Sequence, residues 1–374
     1  MSPVSGVLHA SLTCLIVFKL AMCQDAEPVT PMNDTDYSST TFDYSDFSMV
    51  CEKEENRQFR RWFMPIFYPL ICLAGLAGNL LVVVTFYRFS RLKTMTDVYL
   101  LNLAIADWLF ALTLPFWAAS LIAEWVLGLF LCKAMHTVYK VTSYCSMFLL
   151  SFISMDRYFA ISKAVSAHRR RSQAVFLSKV SSAVAWLMAM IFSIPEMTYT
   201  TINNHTCTPF SSSSDPLRIG IQTSQVVVAF MIPLLVMIVC YSSIVQTLYQ
   251  ARSFERNKAI KVILAVVVVF VVCQVPYNVV LFWSTMVVVT DDVKECGKEN
   301  KLLYASDVTQ CLAFLRCCLN PFLYVFIGVK FRHDLLKLLK EFGCLSQERF
   351  FKYTCGRKWS AGANETDTTT TFSP

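Results

Sequence analysis

Seven apolar windows, each long enough to cross ~30 Å of hydrocarbon, fall near residues 64–87, 98–121, 131–155, 174–195, 219–244, 261–289 and 302–327. They decide what this chain can fold into. With 55% apolar residues, 29 Phe and only 10 Gly in 374 residues, it is too apolar for one soluble core of its length. The expected class is an all-α membrane protein: a seven-transmembrane helix bundle followed by a short amphipathic cytoplasmic helix. Polar groups inside lipid are costly unless partnered, so those placed there are read as functional. Asp156-Arg157-Tyr158 at the inner end of the third window and Asn320-Pro321-Phe322-Leu323-Tyr324 in the seventh stand out.

Charge sets the orientation. Arg88, Arg91 and Lys93, then Lys163, Arg169, Arg170 and Arg171, then Arg252, Arg256, Lys258 and Lys261, then Lys330, Arg332, Lys337 and Lys340 occupy alternate connections, which the positive-inside bias makes cytoplasmic. Residues 25–55 hold nine acids against Lys53 alone, so they are expected outside. An outer N-terminus and an inner tail need an odd number of crossings, so the seventh and least apolar window must also cross. The net charge of +7 is then the sum of an acidic outer face and a basic inner one.

The expected organisation is a signal peptide over 1–23, an extracellular acidic tail over 24–60, the bundle over 61–328, an amphipathic helix over 329–342 and a cytoplasmic regulatory tail over 343–374. The first eighteen residues resemble the apolar part of a secretory signal and are followed by Ala21-Met22-Cys23, a small-residue cleavage site, which puts the mature start near Gln24. The tail after it is rich in Thr, Ser and Asp and is expected to be disordered until a partner arrives. Connections between windows are short except 196–218, where Asn203-Asn204-His205 and Ser211 to Pro216 carry turn chemistry. No internal repeat appears, which weighs against transporters built from duplicated halves.

Within 330–340, Phe331, Leu335, Leu338 and Leu339 fall on one side and bases on the other, the pattern of a helix lying on the inner leaflet. Cys344 just beyond is a candidate for palmitoylation. The end of the chain, with Thr368, Thr369, Thr370, Thr371 and Ser373 beside Glu365 and Asp367, is a candidate phosphorylation cluster. The outer sequons at Asn33 and Asn204 are expected to be glycosylated, and the inner one at Asn364 bare. Of fifteen Cys, only Cys51, Cys132, Cys207 and Cys296 sit at or beyond the outer boundary, which points to two disulfides with three pairings open. The five His and the scattered acids show no metal spacing, nucleophile elbow or phosphate loop, so no enzyme, metal or cofactor is expected. The basic run 169–171 is read as an inner-face surface rather than a nucleic-acid site.

These residues carry a family resemblance. Gly78-Asn79, Leu103-Ala104-Ile105-Ala106-Asp107, Cys132, Asp156-Arg157-Tyr158, Trp186, Pro233, Pro276 and Asn320-Pro321 with Tyr324 resemble the rhodopsin-like G-protein-coupled receptors. Thr113-Leu114-Pro115-Phe116-Trp117, the run 164–169, and the Cys51 and Cys296 pair are similar to chemokine receptors within that class. The runs 250–261, 343–348 and 368–374 narrow the likeness to one CC-type group.

The resemblance implies disulfides Cys132–Cys207 and Cys51–Cys296, CC chemokine ligands 19 and 21, a heterotrimeric G protein of the inhibitory class, and chemotaxis of lymphocytes and dendritic cells. It implies a plasma-membrane location, with receptor kinases and arrestin meeting the Thr-rich tail. Chemokines are small basic proteins, so the acidic tail would raise their encounter rate, and sulfation of Tyr37 and Tyr44 beside their acids would add fixed charge. Trp117, Tyr139, Lys140, Tyr277, Trp283, Asp307 and Gln310 fall where the family forms its ligand pocket. Many relatives carry Glu where Gln310 stands, so their anchor for a ligand amine does not transfer.

For activation, Arg157 is expected to be held by Asp156 at rest, then released toward Tyr241 and Tyr324 as the sixth helix swings about Pro276. Arg256 is basic where some relatives place an acid against Arg157, and Gln274 replaces the class's usual Trp. In the family Asn79, Asp107, Ser146 and Asn320 line a polar cavity that often holds sodium. Here Arg316, one turn before Asn320, is expected to pair with Asp107 and exclude the cation. The rival readings are a scavenging receptor without G-protein signalling and a seven-helix transporter or light-driven pump. The pump is disfavoured because no Lys lies between Lys301 and Lys330 to form a retinal Schiff base.

Overall fold

A computed structural model describes residues 54–89, 92, 94–162, 171–203, 205–209, 216–250, 255–289, 296–327 and 329–354. Among them are seven helices long and apolar enough to cross a membrane. The first, Glu54–Arg88, begins inside the stretch 24–60 expected as the extracellular acidic tail. Glu54 and Glu55 in its first turn and Arg88 in its last suit the helix macrodipole, which lets the helix run out past its apolar window. The second, Met95–Ile122, starts at a reciprocal cap: Thr94 Oγ1 accepts from the Asp97 amide at 3.1 Å, and Asp97 Oδ2 accepts from the Thr94 amide at 3.0 Å.

The third span, Gly128–Ser162, leads to the fourth, Arg171–Phe192. After a break at Ser193, a short helix Ile194–Tyr199 extends the fourth span toward the hairpin that follows it. The connection read as a plain loop over 196–218 therefore carries structure. It also holds a hairpin of β1 (Thr201–Asn203) and β2 (Thr206–Thr208), in which Ile202 pairs with Cys207. His205 turns the hairpin at φ 55°, and its carbonyl accepts from the Trp125 amide at 2.8 Å.

The fifth span is Pro216–Ser224, a π-helical stretch Gln225–Met231, and Ile232–Gln250. The sixth is Glu255–Val289 with Pro276 inside it, and the seventh is Cys296–Ile327 with Pro321 inside it. Helices one, two and seven share a core of Tyr68, Ile71, Phe110, Leu114, Phe314 and Cys317. Two glycines let the first helix approach its neighbours. A Cβ on Gly75 would lie 3.2 Å from Ala111 Cβ and 3.3 Å from Cys317 Sγ, and one on Gly78 would lie 3.1 Å from Pro321 Cγ. That approach brings Asn79 against the seventh helix.

The amphipathic helix runs Val329–Glu341. It buries Phe331, Leu335 and Leu338 against the bundle, and Glu341 meets Arg88 of the first span at 3.5 Å. Gly343 at φ 74° caps it, with the Cys344 amide donating to the Leu339 carbonyl at 2.9 Å. A second short helix, Gln347–Thr354, then folds back so that Lys340 Nζ lies 5.1 Å from the Phe350 ring. This helix lies within the regulatory tail expected over 343–374.

Candidate ligand pocket and signalling core

Aromatic side chains gather in the half of the bundle nearest the β1–β2 hairpin. Trp117 stands edge-on to His136 at 4.4 Å and to Tyr139 at 6.3 Å, and Tyr139 meets Phe110 and Phe314, each at 5.8 Å. Tyr277 packs against the same cluster from the sixth helix. The Trp117 Nε1 and His136 Nε2 atoms are buried without partners, so this wall keeps unused polar atoms as well as rings. Above it the Cys132–Cys207 disulfide ties the hairpin to the third helix. Cys132, His136 and Cys207 lie close enough together to suggest a metal site, but the disulfide consumes both thiolates.

Lys140 follows Tyr139 on the third helix. Its Nζ lies 3.0 Å from Glu196 Oε1 on the short helix after the fourth span, and it also donates to Gln225 Oε1 where the π-helical stretch begins. Asp307 lies apart from this group, its Oδ1 3.7 Å from Arg60 Nε of the first helix. Gln310 is partly buried.

Deeper in the bundle three spans meet at one carboxylate. Asp107 Oδ1 accepts from Ser146 Oγ at 3.1 Å and Arg316 Nη1 at 3.2 Å, while Oδ2 accepts from Asn320 Nδ2 at 2.5 Å. Asn79 Nδ2 donates to the carbonyls of Gly75 and Cys317, each at 2.9 Å. Both Asp107 oxygens are thus engaged and its charge is matched by a buried guanidinium. The residues present do not fit a sodium ion. In the sixth helix Gln274 Nε2 donates to the Ala313 carbonyl at 3.2 Å, a link between helices six and seven.

At the end of the bundle opposite the hairpin a threonine stands between Asp156 and Arg157. Thr96 Oγ1 donates to Asp156 Oδ2 and accepts from Arg157 Nη2 at 2.6 Å. The expected direct hold of Asp156 on Arg157 is replaced by this bridge from the second helix, because one hydroxyl can donate to the acid and accept from the base at once. Ser154 Oγ and Tyr241 Oη are 3.1 Å apart, and the Tyr324 hydroxyl is buried without a partner. Tyr158 packs on the cluster of Tyr241, Ile244 and Phe270 that joins helices three, five and six.

In sequence the chain is similar to known proteins along its whole length. Residues 78–324 match the family profile described as 7 transmembrane receptor (rhodopsin family). Over its whole length the chain is 48% identical to the C-C chemokine receptor type 7 of Homo sapiens, covering 99% of that protein, and 48% identical to that of Mus musculus, again covering 99%. The chain belongs to the chemokine receptors of the rhodopsin family. It is also 43% identical to the C-C chemokine receptor type 6 of Homo sapiens, over 83% of this chain and 86% of that one. Proteins of this family are receptors rather than enzymes, and this one is a multi-pass membrane protein.

Not every residue assigned to the receptor's pocket lies in it. Trp283 is 63% exposed on the outside of the sixth helix, since aromatic residues at helical spacing serve lipid contact as readily as recognition. Glu196 and Thr96 went unread in the sequence. Glu196 carried a signal, because an ionised Lys140 inside the bundle requires an acid and Glu196 follows the fourth window directly. Thr96 carried none. The signal peptide, Asn33, Tyr37, Tyr44, Cys51, Asn204 and the cluster Thr368 to Ser373 lie outside the described residues, as do the side chains of Arg256 and Cys296.

Proposed function

We propose that this receptor detects CC chemokine ligands 19 and 21 outside the cell and activates G proteins of the inhibitory class inside it, directing the migration of lymphocytes and dendritic cells. The observation that carries the reading is the 48% identity maintained over the entire length of C-C chemokine receptor type 7, tails included. The N-terminus faces outward, where its acids and sulfated Tyr37 and Tyr44 meet a basic ligand. A second disulfide, Cys51–Cys296, ties that tail to the seventh helix. Receptor kinases modify Thr368 to Thr371 and Ser373 and so recruit arrestin. A binding screen of purified chemokines on cells displaying the full chain tests the ligand assignment: ligands 19 and 21 bind saturably, and a screen that selects other chemokines overturns it.

Arg157 engages the G protein once its restraint at Thr96 is released. A hydrogen bond to a charged group contributes about 1.5–3 kcal/mol, so Thr96→Val, which keeps the shape and drops the hydroxyl, is expected to shift the resting equilibrium roughly tenfold toward the active form. Ligand-free nucleotide exchange at matched surface expression reads this shift. Unchanged basal exchange would show that Thr96 is not a restraint.

A further inference from the structure

The connection between the second and third spans ends in an apolar tip. Val126 is 75% exposed and Phe130 86%, with Leu127 and Leu129 at 42% and 47%. The turn that presents them is fixed. Trp125 is buried, its amide donates to the His205 carbonyl at 2.8 Å and its Nε1 to the Gly128 carbonyl at 3.0 Å, and Gly128 sits at φ 77°, which favours glycine. No charge lies within residues 126–130. Glu124 before them meets His205 Nδ1 at 3.6 Å, and Lys133 after them donates to the Thr198 carbonyl at 3.2 Å. Four large apolar side chains held together in this way call for an apolar cover.

The Lys133 contact fixes where the tip lies. Thr198 belongs to the short helix Ile194–Tyr199, whose Ile194, Met197 and Tyr199 side chains are exposed and continue the exposed apolar face of the fourth span. That span is apolar enough to cross a membrane as far as Tyr199. Leu129 and Phe130 stand one helical turn before Lys133, and so beside the end of this lipid-facing band. We propose that residues 126–130 seat in the hydrocarbon edge of the leaflet nearest the hairpin and anchor the loop there. The hydrogen bonds within the turn lower the cost of bringing its backbone to lipid. A basic protein is the poorer occupant, because the tip offers it no acid. Through Trp125 and the Cys132–Cys207 bond, the anchor sets the height of the hairpin relative to the bilayer.

The test replaces Val126 or Phe130 of the full receptor by the photocrosslinker p-benzoylphenylalanine, irradiates the protein in phosphatidylcholine vesicles and reads the adducts by peptide mass spectrometry. Both side chains are exposed, so the larger ring is accommodated without repacking. Met190, exposed on the fourth span, and Asn203, exposed on β1, are replaced in parallel as references for lipid and water. The expected result is phosphatidylcholine adducts at both tip positions, in yields comparable to Met190 and about tenfold above Asn203. Yields at both tip positions no higher than at Asn203 would overturn the proposal. So would adducts to a second receptor copy in place of lipid, or adducts to CC chemokine ligand 19 in place of lipid once that ligand is added. The proposal requires only that the chain crosses a membrane, so a wrong ligand assignment leaves the lipid adducts unchanged.

Discussion

Wild-type receptor binds chemokine with the same affinity in sodium as in choline at equal ionic strength, whereas Arg316→Gln becomes sodium-sensitive and loses much of its thermal stability. The expectation comes from the carboxylate at the centre of the bundle. Asp107 is fully buried and Arg316 is 6% exposed, so their 3.2 Å contact is made away from solvent. Removing one member of such a pair leaves an uncompensated buried charge and costs about 3–5 kcal/mol. Gln cannot supply the lost charge, and Ser146 and Asn320 remain aimed at an acid that now attracts a cation. Thermal denaturation of detergent-solubilised receptor and competition binding in the two salts read the two effects. Constant ionic strength matters because screening alone weakens a basic ligand on an acidic tail. A sodium-specific affinity change in the wild-type receptor would contradict the account of Arg316.

The double replacement Cys132→Ser/Cys207→Ser is expected to weaken chemokine binding at least tenfold and to lower surface expression. The bond closes a loop with a sequence separation of 75 residues, and removing such a constraint costs about 4 kcal/mol in the chain-entropy account. Its effect on function is local. The hairpin keeps hydrogen bonds, the Trp125 amide on the His205 carbonyl and the His136 side chain on the Cys207 backbone, but loses the covalent link that fixes β2 to the third helix. Surface staining with an N-terminal epitope separates lost binding from lost folding. Full affinity in the double variant would show that the hairpin does not position the ligand.

The spans were legible because lipid imposes a length on every helix, and 18 to 25 apolar residues announce it. Their ends were not, since the first helix is carried out to Glu54 by polar turns that hydropathy does not see. The polar core was legible for a related reason: Asn79, Asp107, Ser146, Arg316 and Asn320 are each conspicuous in an apolar run, and conspicuous groups in lipid must find one another. The Thr96 bridge was hidden because Thr is at home in any helix, and only the approach of the second helix to the third reveals its partners. The π-helical stretch at Gln225–Met231 was hidden for another reason. Val226 to Met231 read as an ordinary apolar run, and side-chain pattern does not report which carbonyl each amide reaches. Trp283 shows the converse limit, where a residue type suited to recognition was placed in the pocket although its helix face points outward.

A cationic ligand bound at one end of the bundle is expected to change the state of Arg157 at the other. Nucleotide exchange on a purified inhibitory-class G protein, with the receptor reconstituted in nanodiscs and CC chemokine ligand 21 titrated in, measures this most directly. The expected result is saturable acceleration of exchange that Arg157→Ala abolishes while chemokine binding persists. Saturable chemokine binding with no acceleration would contradict it, and would make the chain a scavenger of chemokines rather than a transducer.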